Sequence, residues 1–454
     1  MAAVFHAFTF KRGLQLLTTL GLSLWVALAH ATPVLDLWGS WQLAQQRDPI
    51  YAAQQAKTQA NQEQINQAKA ALLPRVDAVS ALRHNEVRRA SNLQQSQHQT
   101  PSEWQLRFSQ PLLDLSALAQ FERSRYVAGM AVLDVELARN ELFLRLSQAY
   151  FDVLTAQDSL QSLAAEKTAI EQQLRLAEYE FELGGATITD TYEAQSRLDL
   201  VINQRISTEN SLQAAKNQLS RIVGQPIYAL APLNPHATLP APEPLQLDAW
   251  LNQATTNSLA IAKAGLAVQA QQQQLKANQR EHAPTLALQA QSGSQSNQGI
   301  YGANNGPRAL NSSVGIELSI PLYQGGAISS KVRENASLLQ QANYEHENSR
   351  RATAEDTSTY FVSVNNSLRQ VQALQAAEQT SQNAVAANEL AHEVGVRTTI
   401  DVLNAQKQLY ETQRALAKAR YDTLLYSIKL KSAVGQLPDE EILALNRLLA
   451  VTPY

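Results

Sequence analysis

The chain has 454 residues with 37 basic against 40 acidic side chains, a net charge of −3 with histidine neutral, and no cysteine. The lack of cysteine excludes disulfides, thiolate metal sites and a lipidated N-terminal anchor, and the slightly acidic balance argues against a general nucleic-acid binder. The length suffices for two or three ordinary domains around a sizeable core.

At the N-terminus, Lys11 and Arg12 precede a mostly apolar run from Gly13 to Ala29, and Ala29-His30-Ala31 supplies a small-x-small cleavage pattern. That order predicts a secretory signal peptide over residues 1–31. Without Lys11 and Arg12 the mature chain carries 35 basic and 40 acidic residues, a net charge of −5. No later stretch approaches the roughly 20 apolar residues of a spanning helix. A mature chain that crosses a membrane must therefore do so as closed strands.

A Gln/Ala-rich helical stretch is expected over about 40–72, followed by a strand pair over about 75–113. There Trp104, Leu106 and Phe108 alternate with Glu103, Gln105 and Arg107. Residues 115–183 hold no proline and one glycine, Gly129. A helix of that length reaches roughly 100 Å, far beyond a globular helix. The turn "LGGATITDTYEAQ" (183–195) then opens a second helical pattern over about 188–223.

Six of the sixteen prolines (226, 232, 235, 240, 242 and 244) fall in the next stretch, which marks 226–247 as a non-helical linker. The order then begins again: a helix over about 248–282, a strand pair over about 285–322, and helices over about 327–393 and 399–434. Val314, Ile316, Leu318 and Ile320 alternate with Ser313, Gly315, Glu317 and Ser319. That pattern fits a tilted membrane strand and equally an ordinary half-buried sheet. The turn is "VGVRTTIDVLNAQ" (394–406), and a segment over 437–454 ends the sequence.

The correspondence is positional. Pro111-Leu112 matches Pro321-Leu322 and Tyr150-Phe151 matches Tyr360-Phe361 at an offset of 210; Asp190 matches Asp401 and Gly224-Gln225 matches Gly435-Gln436 at 211. So constant an offset reads as a tandem duplication, 32–225 and 248–436. Val402, Leu409 and Leu416 fall seven apart, and Val364, Leu368 and Val371 step by four and three, as in the seam of a coiled coil. The expected fold is mixed: long coiled-coil helices with a small β-barrel. One chain supplies four strands, too few to close, so several chains must pool them.

The element order, the duplication, "IPLYQGG" (320–326), "YF" at 150 and 360, and "VGVRTTIDVLNAQ" resemble the outer-membrane efflux protein (TolC) family, in its TolC and type I secretion branch. The resemblance covers nearly the whole mature chain. It implies a homotrimer with a twelve-stranded barrel in outer-membrane lipid, above an all-α barrel that crosses the periplasm of a Gram-negative bacterium. The implied activity is a passive exit duct, without cofactor, for an inner-membrane transporter joined through a periplasmic adaptor (membrane fusion) protein.

Each repeated turn has a local explanation. Gly184, Gly185 and Gly395 stop the long helices; Thr187 or Thr189, and Thr398 or Thr399, can cap the next; Asp190 and Asp401 suit its first turn. The resemblance adds a role at a periplasmic gate. Asp401 matches a ring aspartate and Arg397 an arginine that ties neighbouring helix pairs, with Asp190 and Thr189 as its partners in the first repeat. A second ring aspartate is replaced by Asn404 and a gate tyrosine by His392, for which we expect a bond to Asp190.

Rival classes fit less well. There is no phosphate loop or Gly-x-Ser-x-Gly elbow, and the six mature histidines (84, 98, 236, 282, 346 and 392) are scattered without metal-ligand spacing. A periplasmic coiled-coil adaptor, the alternative reading, needs one helical hairpin on a β-domain rather than two full repeats. A solute porin devotes most of its length to strands.

Overall fold

A computed structural model describes residues 34–83, 85–88, 96–99, 102–296 and 309–449. The expected signal peptide (1–31), His84 and the end of the 437–454 segment lie outside the described residues.

The first half runs α1 (Leu37–Arg47), α2 (Pro49–Ala70), β1 (Arg75–Leu82), β2 (Asn85–Arg88), β3 (Ser96–Gln99), β4 (Ser102–Leu113), α3 (Leu115–Glu182) and α4 (Ile188–Val223). The second runs α5 (Leu247–Asn257), α6 (Leu259–Arg280), β5 (Thr285–Ser296), β6 (Ala309–Ser319), α7 (Ala327–Glu393) and α8 (Thr399–Ala433), and α9 (Asp439–Asn446) follows. α3 and α7 have 68 and 67 residues, and α4 and α8 have 36 and 35.

Each stretch read as one opening helix is broken in two. Pro49 has no N–H and a fixed φ, so it starts a helix rather than continuing one. The Asp48 carboxylate caps that start by accepting the Tyr51 N–H at 2.8 Å. Ser258, in extended conformation, makes the equivalent break between α5 and α6.

The main core lies where α1, α3, α4, α8, α9 and the linker meet. Trp41 meets Phe143 edge-on at 5.3 Å, and Phe151 stacks on Tyr421 at 5.6 Å. Trp41, Phe143, Tyr150 and Phe151 are almost wholly excluded from solvent, and each side chain so buried contributes about 1.5–3 kcal/mol. The Pro-rich linker is part of this core. Leu230 bridges to Leu35, Leu233 bridges to Leu449, and the Tyr150 hydroxyl donates to the Ala231 carbonyl at 2.8 Å.

Away from that core the helices pack through small residues. Ala119, Ala128, Ala131, Ala177, Ala270 and Ala277 are buried. Their short side chains let helix axes approach closely, leaving long walls with polar outer faces.

The strands form one antiparallel sheet in the order β1-β4-β5-β6, with β2 and β3 as a separate pair. Register sorts the side chains onto two faces. Val76, Phe108, Ala290 and Val314 lie in one cross-strand row, and Leu288 and Ile316 in another. The opposite face carries Asp77, Arg107, Gln291 and Ser313 in a single row. There the Gln105 amide donates to Gln291 at 2.8 Å and Arg107 donates to Gln105 at 2.7 Å. The apolar face is uncovered: Val76 and Ile316 are each 67% exposed and Val314 is 77% exposed. β1 and β6 are the two edges of the sheet within the chain.

Candidate functional site

Two helical hairpins, α3–α4 and α7–α8, end in the repeated turns. In each, a glycine takes the left-handed conformation that side chains disfavour, Gly184 at φ 78° and Gly395 at φ 74°. The hydrogen bonds around them correspond one for one. The Gly184 N–H donates to Phe181 O at 3.0 Å and that of Gly185 to Glu180 O at 2.7 Å; the Gly395 N–H donates to His392 O at 2.9 Å and that of Val396 to Ala391 O at 2.8 Å. This pairing of a long and a short bond satisfies the last carbonyls of a helix.

The following helix is capped by the threonine and aspartate of the motif. Thr187 and Thr398 are the N-cap residues and Asp190 and Asp401 stand at the third helical position. Asp190 Oδ2 accepts the Thr187 N–H at 2.9 Å and its hydroxyl at 2.7 Å, and Asp401 Oδ2 accepts the Thr398 N–H at 3.1 Å and its hydroxyl at 3.0 Å. Asp401 also lies 3.7 Å from the Arg397 guanidinium. The bonds from Thr398, then Arg397, hold the Asp401 carboxyl below its ordinary range. Both carboxylates thus neutralise a helix start. Thr189 is exposed beside this cap.

His392 does not bond Asp190 within the chain, which corrects that expectation. Its Nε2 lies 3.1 Å from Thr399 Oγ1 and 3.9 Å from Glu180 Oε2. The reason is local: Asp190 is turned onto its own cap, and the imidazole, one residue before the end of α7, falls between α8 and α3. Asn404 accepts from Arg197 Nη2 at 3.1 Å, which joins α8 to α4.

Contacts between the hairpins that sequence reasoning missed continue up α8. Arg414 donates to Glu166 on α3 at 2.7 Å and the Tyr421 hydroxyl donates to Asp158 on α3 at 2.6 Å, while within the α7–α8 hairpin Gln406 donates to Glu389 at 3.1 Å. Leu403 packs with Leu163, Ile170, Ala194, Leu198 and Val201 beneath the tip. A groove of about 440 Å³ runs between the hairpins, lined by Ile170, Arg197, Val201, Leu403, Lys407 and Arg414 among others. The tips themselves expose apolar side chains, Leu183, Val394 and Val396. Among the described residues no cluster of three or more His, Asp or Glu is placed to hold a metal ion, and no helix is long and apolar enough to cross a membrane.

Two long helical hairpins and one small amphipathic sheet define a fold of extended helices with few strands. The chain belongs to the outer membrane efflux protein family, which it matches over residues 41–225 and 250–436. Outer membrane protein TolC of Escherichia coli (strain K12) is 29% identical over 448 residues, covering 97% of this chain and 90% of that one. The alkaline protease secretion protein AprF of Pseudomonas aeruginosa is 30% identical over 437 residues, covering 92% and 89%. Among solved structures, the outer membrane protein VceC from Vibrio cholerae has a TM-score of 0.74 at 19% identity, covering 88% of this chain and 96% of that chain. The protein is thus one of the outer membrane efflux proteins.

Proposed function

We propose that three copies of the chain join sheet edge to sheet edge into a twelve-stranded barrel in the outer membrane, and that their helices continue it as a hollow cylinder through the periplasm. The observation that carries this reading is the sheet. Its apolar face is uncovered and, among the described residues, its β1 and β6 edges have no strand beyond them. β4, β5 and β6 have 12, 12 and 11 residues, enough for a tilted strand to cross lipid. Open edges are not tolerated in lipid, and four strands do not close. Pairing β6 of one copy with β1 of the next removes every edge and turns the polar row of Asp77, Arg107, Gln291 and Ser313 toward a water-filled lumen.

In this assembly the protein is a passive exit duct for efflux or for type I secretion, coupled through a periplasmic adaptor to an inner-membrane transporter. The duplication, 32–225 and 248–436 around the 226–247 linker, lets each chain place two equivalent hairpins around the axis. The tips form the periplasmic gate. Threefold symmetry makes Asp401 a ring of carboxylates at the entrance, with Arg397, Asp190, Thr189, Asn404 and His392 around it.

Purified in detergent, the protein should run with the mass of a trimer and form pores in planar bilayers. A stable monomer that forms no pores would refute the proposal.

A further inference from the structure

We propose that His392 and Glu180 form a proton-operated latch between the two hairpins of a protomer, closed more firmly as the periplasmic side turns acidic. The latch rests on the reading above that the hairpin tips surround the pore entrance.

His392 stands where three helices meet. Its own helix is α7, the hydroxyl it touches at 3.1 Å belongs to Thr399 of α8, and the carboxylate at 3.9 Å belongs to Glu180 of α3. Its side chain is 10% exposed and that of Glu180 is 32% exposed, so water screens the pair only in part.

The charged groups on the surrounding elements are mostly acidic. Glu178 and Glu182 flank Glu180 on α3, Glu389 and Glu393 lie on α7, Asp190 and Glu193 on α4, and Arg397 and Asp401 at the start of α8. Several of these already have partners. Glu389 accepts from Gln406, Asp190 from Thr187, Glu193 from Arg197, and Asp401 from Thr398 with Arg397 alongside. Among the described residues the Glu180 carboxylate has only the imidazole within 4.0 Å as a charge partner.

The neutral ring needs one partner and has it in Thr399, leaving no charge to attract Glu180. When protonated, both ring nitrogens donate and the cation faces a carboxylate across the junction of the hairpins. Imidazole changes charge between about pH 5 and 8, the range that bathes a periplasmic surface. The pair is nearer the tip than Arg414–Glu166, so it acts where opening must begin.

The test is planar-bilayer conductance at about pH 8 and pH 5.5 for wild type, His392→Phe and Glu180→Gln. Wild type should lose roughly threefold in open probability on acidification, the size of change one partly exposed ion pair supports. Both variants should lose most of that response. A response retained in either variant overturns the latch. A wild type that forms no pores overturns the duct reading and the latch with it, whereas pores with a pH response unchanged in the variants overturn the latch alone.

Discussion

Arg414 donates to Glu166 Oε2 across 2.7 Å, with 14% of the arginine side chain and 5% of the glutamate side chain exposed. The same guanidinium reaches Ser162 Oγ at 3.3 Å. This pair fastens α8 to α3 about 22 Å along the helix from Thr399. Removing one member leaves the other charged, buried and unpartnered. Arg414→Met should therefore cost about 3–5 kcal/mol. Glu166→Leu combined with Arg414→Met should recover most of the loss, because no charge then remains to desolvate. Thermal unfolding in detergent measures both. A single variant as stable as wild type would show that the pair carries no weight.

Higher on α8, the Tyr421 hydroxyl donates to Asp158 at 2.6 Å. Burial pushes the Asp158 carboxyl above its ordinary range, while the Tyr421 bond and Arg420 pull it back. A raised folded pKa means the folded chain holds this proton more tightly than the unfolded chain. The stabilising contribution is complete below the unfolded pKa and is lost as pH rises through the folded one. Asp158→Asn keeps an acceptor for Tyr421 and removes the charge. It should unfold near the wild-type temperature at about pH 4 and above it at pH 7. Tyr421→Phe strands the carboxylate and should cost about 1–3 kcal/mol at pH 7. An asparagine variant weaker than wild type at pH 7 would contradict this.

The Asp401 carboxylate is exposed, and its acidity is set by the Thr398 bonds and then by Arg397. Its folded pKa is lowered, so its charged state persists as pH falls past the ordinary carboxylate range and its contribution is lost only below that. If Asp401 rings the entrance, block by multivalent cations should survive acidification to about pH 4.5 and disappear in Asp401→Asn at any pH. Block that is the same in Asp401→Asn and wild type would confine this residue to capping α8.

Local features were legible because their causes are local. The pattern over 115–183 contains a single helix breaker, and α3 runs Leu115–Glu182. The left-handed stops at Gly184 and Gly395 and the Thr–Asp caps follow from chemistry within six residues. The choice of Thr187 over Thr189 and of Thr398 over Thr399 was open, since it depends on where the turn releases the chain. The partners of His392, Arg414, Tyr421 and Asn404 were not legible. Thr399 meets His392 only through the turn geometry of its own hairpin, and the other partners lie more than 200 residues away, brought near by the packing of one hairpin on the other. The break at Pro49 was missed because the Gln/Ala-rich composition around it reads as one continuous helix over about 40–72.

Two left-handed glycines separate backbone strain from crowding. Gly395, at φ 74°, has nothing within 4 Å of the place a Cβ would take, whereas Gly435, at φ 71°, has the Asn257 carbonyl oxygen at 2.4 Å from that place. Gly395→Ala meets only the conformational penalty, about 1–2 kcal/mol. Gly435→Ala adds a backbone clash between the end of α8 and the end of α5 and should cost clearly more. Unfolding midpoints compared side by side decide it; equal losses would mean that the α5 backbone yields freely.

Arg197 Nη2 reaches Asn404 Oδ1 at 3.1 Å while its Nε holds Glu193 at 3.1 Å, so one guanidinium braces α4 internally and ties it to α8. Asn404 offers a neutral acceptor. Asn404→Asp would make the bond charge-assisted, roughly doubling its strength, and would set a second carboxylate one helical turn from Asp401. Two effects should follow together: rarer spontaneous opening, because the hairpins are tied more firmly, and tighter block by multivalent cations, because the ring gains charge. Arg197→Ala should reverse the first without reproducing the second, since it frees the tie and leaves Asn404 uncharged. The two effects are therefore separable in one set of single-channel records. If Asn404→Asp opens as often as wild type yet blocks more tightly, the side chain faces the lumen and not Arg197. If neither quantity moves, this contact has no part in closing the tip.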